Sequence, residues 1–87
     1  MKVRIPNPLL SYTKQARIVD AHGTTLDDLT RDLERQFPGI HFRIIDEHQR
    51  VRRHIKLFAN ATQADEDLAM RLAEGDEVMI VAALSGG

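Results

Sequence analysis

Apolar and polar positions alternate at the start of the chain. Met1, Val3 and Ile5 fall on one side, Lys2 and Arg4 on the other. A period of two is that of a half-buried β-strand. Pro6 and Pro8 end it, because proline has no ladder N–H. Leu9 and Leu10 are expected to tuck under the loop that follows, and the polar residues 11–15 read as a hairpin connection. Residues 16–21 give a second strand, with Val19 and Ala21 inward and Arg17 adding its stem. His22-Gly23 closes it.

The period then changes. Leu26, Leu29 and Leu33 recur at spacings of three and four, and Phe37 continues the stripe, which predicts one amphipathic helix facing the sheet. Thr24 is expected as its N-cap with Asp27 three positions on, and Asp27 and Asp28 suit the positive first turn. Pro38-Gly39 stops it. Residues 41–45 fit either a short strand or a single helical turn that carries Ile40, Ile44 and Ile45 inward. Residues 46–49 are turn-like.

Residues 51–59 predict a strand with Ile55, Leu57 and Ala59 on one face and Lys56 and Phe58 on the other. Asn60-Ala61 reads as a hairpin turn without its usual glycine. Residues 63–72 predict a short strand, then a brief helical piece anchoring Leu68 and Leu72. After Gly75-Asp76 a last strand puts Val78 and Ile80 inward, Met79 and Val81 outward. A hairpin, one long helix and further strands imply an α+β sheet with the helix packed on one face.

Composition narrows the chemistry. At 87 residues with 43% apolar content, one domain on one core is expected. There is no cysteine, which excludes disulfides, a thiolate nucleophile and cysteine-ligated metal. The formal net charge of −1 gives no general attraction to nucleic acid or to acidic membranes. No signal-peptide pattern opens the chain and no apolar run has membrane-spanning length, so a cytoplasmic, soluble protein is expected.

The last strand runs directly into Ala83-Leu84-Ser85-Gly86-Gly87. Two glycines with nothing to connect suit a thin tail that must pass close to another backbone, and equally a frayed end. The rest of the chain bears on that choice. Val3-Arg4-Ile5-Pro6, Gly23-Thr24-Thr25-Leu26, Pro38-Gly39-Ile40, a strand ending in Asn60, Gly75-Asp76-Glu77-Val78 and the closing Gly86-Gly87 occur in an order that resembles the ubiquitin-like sulfur carriers. That family includes the molybdopterin synthase small subunit and the thiamin and cysteine biosynthesis carriers. Ala61 and Ser85 depart from its commoner residues. The long 41–54 segment is closer to the molybdopterin and cysteine types, and Arg52-Arg53-His54 leans toward the cysteine or general carrier branch.

The resemblance implies a β-grasp fold over residues 1–87, with the first and last strands parallel and a flexible tail at 84–87. It implies a carrier rather than an enzyme, with no bound cofactor. An E1-like partner spends ATP to adenylate Gly87, Gly86 gives the tail access to a narrow channel, and sulfur arrives to leave a thiocarboxylate. That group then serves a sulfur-accepting synthase. Conversion of a poor electrophile to an activated acyl group splits a hard step into easier ones. Phe58, Met79, Val81 and Leu84 are expected as an exposed apolar patch for partners. Two alternatives stay open: a protein modifier joined through Gly87 to lysines, and a non-covalent binding module.

Other candidates are duller. His22, His41, His48 and His54 lack metal-ligand spacing. Arg50, Arg52, Arg53 and Lys56 could meet RNA or an acidic partner, or form a solvated strand edge. Asp65, Glu66 and Asp67 suit the acidic start of a short helix. No phosphate-cradling loop and no nucleophile–base pair are present.

Overall fold

The computed structural model describes residues 1–64 and 67–83. Their sheet has five strands: β1 (Lys2–Arg4), β2 (Ile18–Asp20), β3 (Ile55–Ala59), β4 (Thr62–Gln63) and β5 (Glu77–Ala82). The spatial order is β2-β1-β5-β3-β4. β1 and β5 pair in parallel, with Val3 opposite Val78, and every other pairing is antiparallel. Together with the helix packed on one face this is the β-grasp arrangement. Alternation decides which side chains go inside: Val3, Ile55, Leu57, Val78 and Ile80 are buried on one face. Leu26, Leu29 and Leu33 of α1 (Leu26–Gln36) close over them.

The N-terminus of α1 shows how this helix is set. Its cap is Thr25, not Thr24. Thr25 is extended, at φ −134° and ψ 167°, and its Oγ1 accepts the Asp28 N–H at 3.1 Å. Thr24 Oγ1 instead donates to the Asp28 carboxylate at 2.8 Å. The helix starts one residue late because Leu26 and Asp27 give their N–H groups to the carbonyls of Met70 and Leu68, at 3.1 and 2.9 Å. Three otherwise orphaned donors are thus satisfied, two of them by a segment about forty residues away in sequence. That pairing also corrects the brief helix expected near Leu68 and Leu72. Residues 67–72 hydrogen-bond alongside 24–27 and are not helical, while Asp65 and Glu66 lie outside the described residues. The short second helix is α2 (Ile40–Ile44), where Ile40, Ile44 and the following Ile45 are fully buried.

Gly39 precedes α2 at φ 99°, a conformation that suits glycine. Glu34 accepts the N–H groups of Gly39 at 2.9 Å and His41 at 3.0 Å, tying α2 back to α1. At Gly23 the constraint is space: a Cβ there would stand 2.5 Å from the Leu29 backbone nitrogen.

Three further expectations shift. Residues 11–15 are not a simple hairpin connection, because a 3-10 helix spans Asn7–Thr13 and buries Leu9, Leu10 and Thr13. Lys14 and Gln15, at φ 55° and 70°, then turn the chain into β2. Arg17 is exposed and donates from Nη1 to Asn7 Oδ1 at 3.0 Å. β3 begins at Ile55, not Val51, because the Ile55 N–H returns to the Arg52 carbonyl at 2.9 Å and closes a turn. Asn60 and Ala61 do make the β3–β4 turn, both with positive φ, 51° and 69°.

Candidate functional site

The site begins where β5 ends. Glu77 to Ala82 runs through the middle of the sheet; β1 pairs with its first half, Glu77 to Met79, and β3 pairs with it as far as Ala82, so its exit is held from the β3 side. The Ala83 N–H donates to the His54 carbonyl at 2.8 Å, which extends the pairing with the β3 side by one residue. Leu84, Gly86 and Gly87, named from the sequence, lie outside the described residues.

Among the described residues no helix covers the sheet face away from α1. A cross-strand row runs over all five strands: Ile18, Arg4, Met79, Phe58 and Gln63. Directly opposed side chains on one face are contact neighbours, so this row forms a continuous surface. Met79 is 37% exposed and Ile18 45%. Phe58 and Val81 are half-buried, less open than the sequence suggested. Phe58 has Met79 and Gln63 as its cross-strand neighbours, and Val81 stands opposite Lys56. Met79, Val81 and Ala82 share a shallow depression of about 550 Å³ with Arg4, Pro6 and Pro8. Phe58 adjoins it through Met79. Met79 and Val81 therefore converge at the root of the tail.

Ile18 was missed, although its signal was present. With Val19 and Ala21 inward, alternation sends Ile18 out. Phe42, 54% exposed, was also missed. It sits two residues after Ile40, off the buried face of a turn whose helical form the sequence left open.

Two charged groups on the open face pair with each other. Arg4 Nε lies 2.6 Å from Glu77 Oε1, both about half exposed. Carboxylates with lowered pKa values sit elsewhere, at caps and turns. The Thr24 hydroxyl holds Asp28 below the usual range, the His22 N–H does so for Asp32, and the Gly39 N–H for Glu34. The Arg50 and Ala73 N–H groups act likewise on Asp46 and Asp76. These are structural tethers, since each carboxylate serves a backbone or capping donor. Among the described residues no three His, Cys, Asp or Glu side chains gather as a metal set. No helix there is long and apolar enough to cross a membrane.

A helix-backed mixed sheet with parallel outer-sequence strands at its centre, one bare face and a terminal segment leaving the central strand defines a ubiquitin-like protein. The family model of the ThiS family matches residues 3–87, and the chain belongs to that family. It is 34% identical to "Sulfur carrier protein CysO" of Mycobacterium tuberculosis over 93 aligned residues, covering 98% of this chain and 96% of the relative. Among solved structures it is similar to the Amycolatopsis orientalis BexX/CysO complex, with a TM-score of 0.90 and 28% identity over 99% of this chain and 98% of the other. Mycobacterium tuberculosis CysO aligns with a TM-score of 0.89 and 31% identity, covering 95% and 98%. SAMP1 of Haloferax volcanii aligns with a TM-score of 0.80 and 26% identity, covering 100% and 98%. The resemblance drawn from the order of short motifs, and the β-grasp fold it implied, are both borne out.

Proposed function

We propose that this protein is a sulfur carrier of the cysteine-biosynthetic type, working through the carboxylate of Gly87. The observation that supports the reading best is the extent of the likeness. The family match runs through Gly87, and proteins named as sulfur carriers align over nearly the whole chain.

The chemistry follows from what a carboxylate lacks. It is a poor acyl donor, so an E1-like partner binds ATP and the Gly87 carboxylate oxygen attacks the α-phosphorus, expelling pyrophosphate. A persulfide on a partner protein attacks the acyl carbon of the adenylate, and AMP leaves. A second thiol cleaves the S–S bond of the acyl disulfide, taking up one sulfur as a disulfide and leaving the thiocarboxylate. That nucleophile passes sulfur to an acceptor on the synthase. The carrier supplies position, not catalysis, and binds no cofactor itself. Gly86 and Gly87 lack side chains because the tail must enter a narrow channel. Met79, Val81 and Phe58 form the surface on which the adenylating partner rests, and Leu84, which follows β5 in sequence, is assigned to the same contact.

The test is the intact mass of the full chain after incubation with an adenylating partner, ATP, a persulfide-bearing partner protein and a thiol reductant. A gain of about 16 Da, oxygen replaced by sulfur at the activated acyl group, is expected. Gly87→Phe should show no gain. An unchanged mass for the native chain under conditions that charge a CysO control overturns the reading. A second reading, conjugation to lysines through Gly87, is favoured by the likeness to SAMP1, a small archaeal modifier protein. Ladders on a denaturing gel would support it.

A further inference from the structure

Ala82 lines two depressions. One is on the open face. The other, about 540 Å³, lies between the 3-10 helix, α2, the start of β3 and the end of β5, and includes Tyr12, Phe42, Arg43, Arg52 and His54. Its two arginines are held in place. Arg43 Nε donates to the Tyr12 hydroxyl at 2.6 Å, with the guanidinium carbon 5.9 Å from the ring centroid. Arg52 Nε donates to the Phe42 carbonyl at 2.6 Å, with its guanidinium carbon 4.4 Å from the Phe42 ring centroid. In each case the inner nitrogen is engaged within the chain, and among the described residues no hydrogen bond or ion pair takes the paired Nη atoms. Among the described residues no carboxylate lines this depression. The nearby acid is Asp46, which the Arg50 N–H and, in smaller part, the Arg52 charge keep ionised. Its Oδ1 accepts the N–H groups of His48 and Arg50 at 2.8 and 3.1 Å.

Guanidinium forks match carboxylates bidentately, and a fork already oriented by an aromatic ring loses less freedom on binding. An exposed ring beside two such forks suits an acidic chain segment that also carries an apolar residue. We propose that this depression docks a carboxylate-bearing segment of the partner protein that handles the tail. Arg43 and Arg52 pair with its acids, and Phe42 takes its apolar side chain. The location at Ala82 gives the reason for a tail-handling partner: whatever encloses the residues after Ala82 must come within reach of this rim. That choice of partner rests on the sulfur-carrier reading, whereas the recognition of carboxylates does not.

The experiment is a titration of the ¹⁵N-labelled full chain with the synthetic peptide acetyl-Glu-Asp-Phe-Asp-Glu-amide. Its lysine-for-acid counterpart and ATP are titrated in parallel. Saturable shifts are expected at the Arg43 and Arg52 Nε–Hε signals and at Phe42, weakened by salt. The double variant Arg43→Gln/Arg52→Gln should weaken binding by roughly fivefold or more while keeping the native circular dichroism. If that variant misfolds, Arg52→Lys, which retains charge and loses the fork, should weaken binding in its place. The proposal falls if the acidic peptide produces no saturable shift, or if the lysine peptide produces the same shifts. It falls equally if ATP binds these residues more tightly than the peptide does. Truncation after Ala83 that moves the two Nε–Hε signals as far as the peptide does would make the chain's own tail the occupant and overturn it too. A mass gain without peptide binding defeats this proposal alone, and peptide binding without a mass gain defeats the carrier reading alone.

Discussion

The two faces of the sheet follow the same alternation and end in opposite states. On the inner face Val3, Leu57, Val78 and Ile80 are almost completely buried, because α1 brings Leu26, Leu29 and Leu33 down onto them. On the outer face Ile18, Arg4, Met79 and Phe58 form an equally continuous row with no element of the described chain above it. The inner row is closed by the protein itself. The outer row has apolar side chains of comparable size, kept soluble by Arg4, Lys2, Lys56 and Glu77 among them. Burial on one face therefore supplies stability, and incomplete burial on the other leaves surface that a partner can still remove from water.

The sharpest way to break this comparison is Leu29→Ala. It should cost about 2–5 kcal/mol, the range for a buried leucine truncated in a packed core, as read from the midpoint of a urea melt. An effect near zero would mean that α1 does not seal the inner face. Acid comes next. Asp28, Asp32, Glu34, Asp46 and Asp76 all titrate below their ordinary values in the folded chain. A lowered carboxylate adds stability that is fully present above the unfolded value. It is lost as pH falls through the folded one, so the melting temperature should hold near neutrality and drop below about pH 4. Three of these groups lie on α1, so acid should loosen the helix cap and the α1–α2 tether before it affects the outer row. Amide exchange at low pH can follow that order. The smallest stability effect belongs to Met79→Ser, expected at about 1 kcal/mol, because its side chain is partly exposed and loses chiefly its cross-strand contact with Phe58. The same variant should slow adenylation by the partner. Unchanged charging kinetics with Met79→Ser and Phe58→Ser together would remove the outer row from the partner surface.

Much of this was legible from spacing. The stripe Leu26, Leu29, Leu33 marked α1, and alternation sorted Val78 and Ile80 from Met79 and Val81, because both periods are set by the local backbone geometry. Where the sequence misled, a distant segment had intervened. Thr24 was expected as the cap, and Thr25 holds that place because the Leu68 and Met70 carbonyls take the first helical N–H groups. The stretch expected to be helical near Leu68 forms a turn, closed by the Met70 N–H on the Asp67 carbonyl, whose carbonyls face the start of α1 instead. Phe58 was expected to lie exposed and is half-buried, with Met79 and Gln63 opposite it on neighbouring strands. The Arg52–Phe42 and Arg43–Tyr12 stacks were beyond reach, since the aromatic and basic partners stand ten and thirty-one positions apart. The tail residues Leu84, Gly86 and Gly87 were chosen from the order of motifs, and the described residues bear on them only through the strand that leads there.

What the chain determined by itself is the long helix α1 and the side of each strand that turns inward, for these depend on residues a few positions apart. Tertiary structure alone decided that β1 and β5 lie side by side in parallel, and which loops meet where β5 ends. Those arrangements depend on hydrogen bonds and packing between segments far apart in sequence, whose partners no local periodicity specifies.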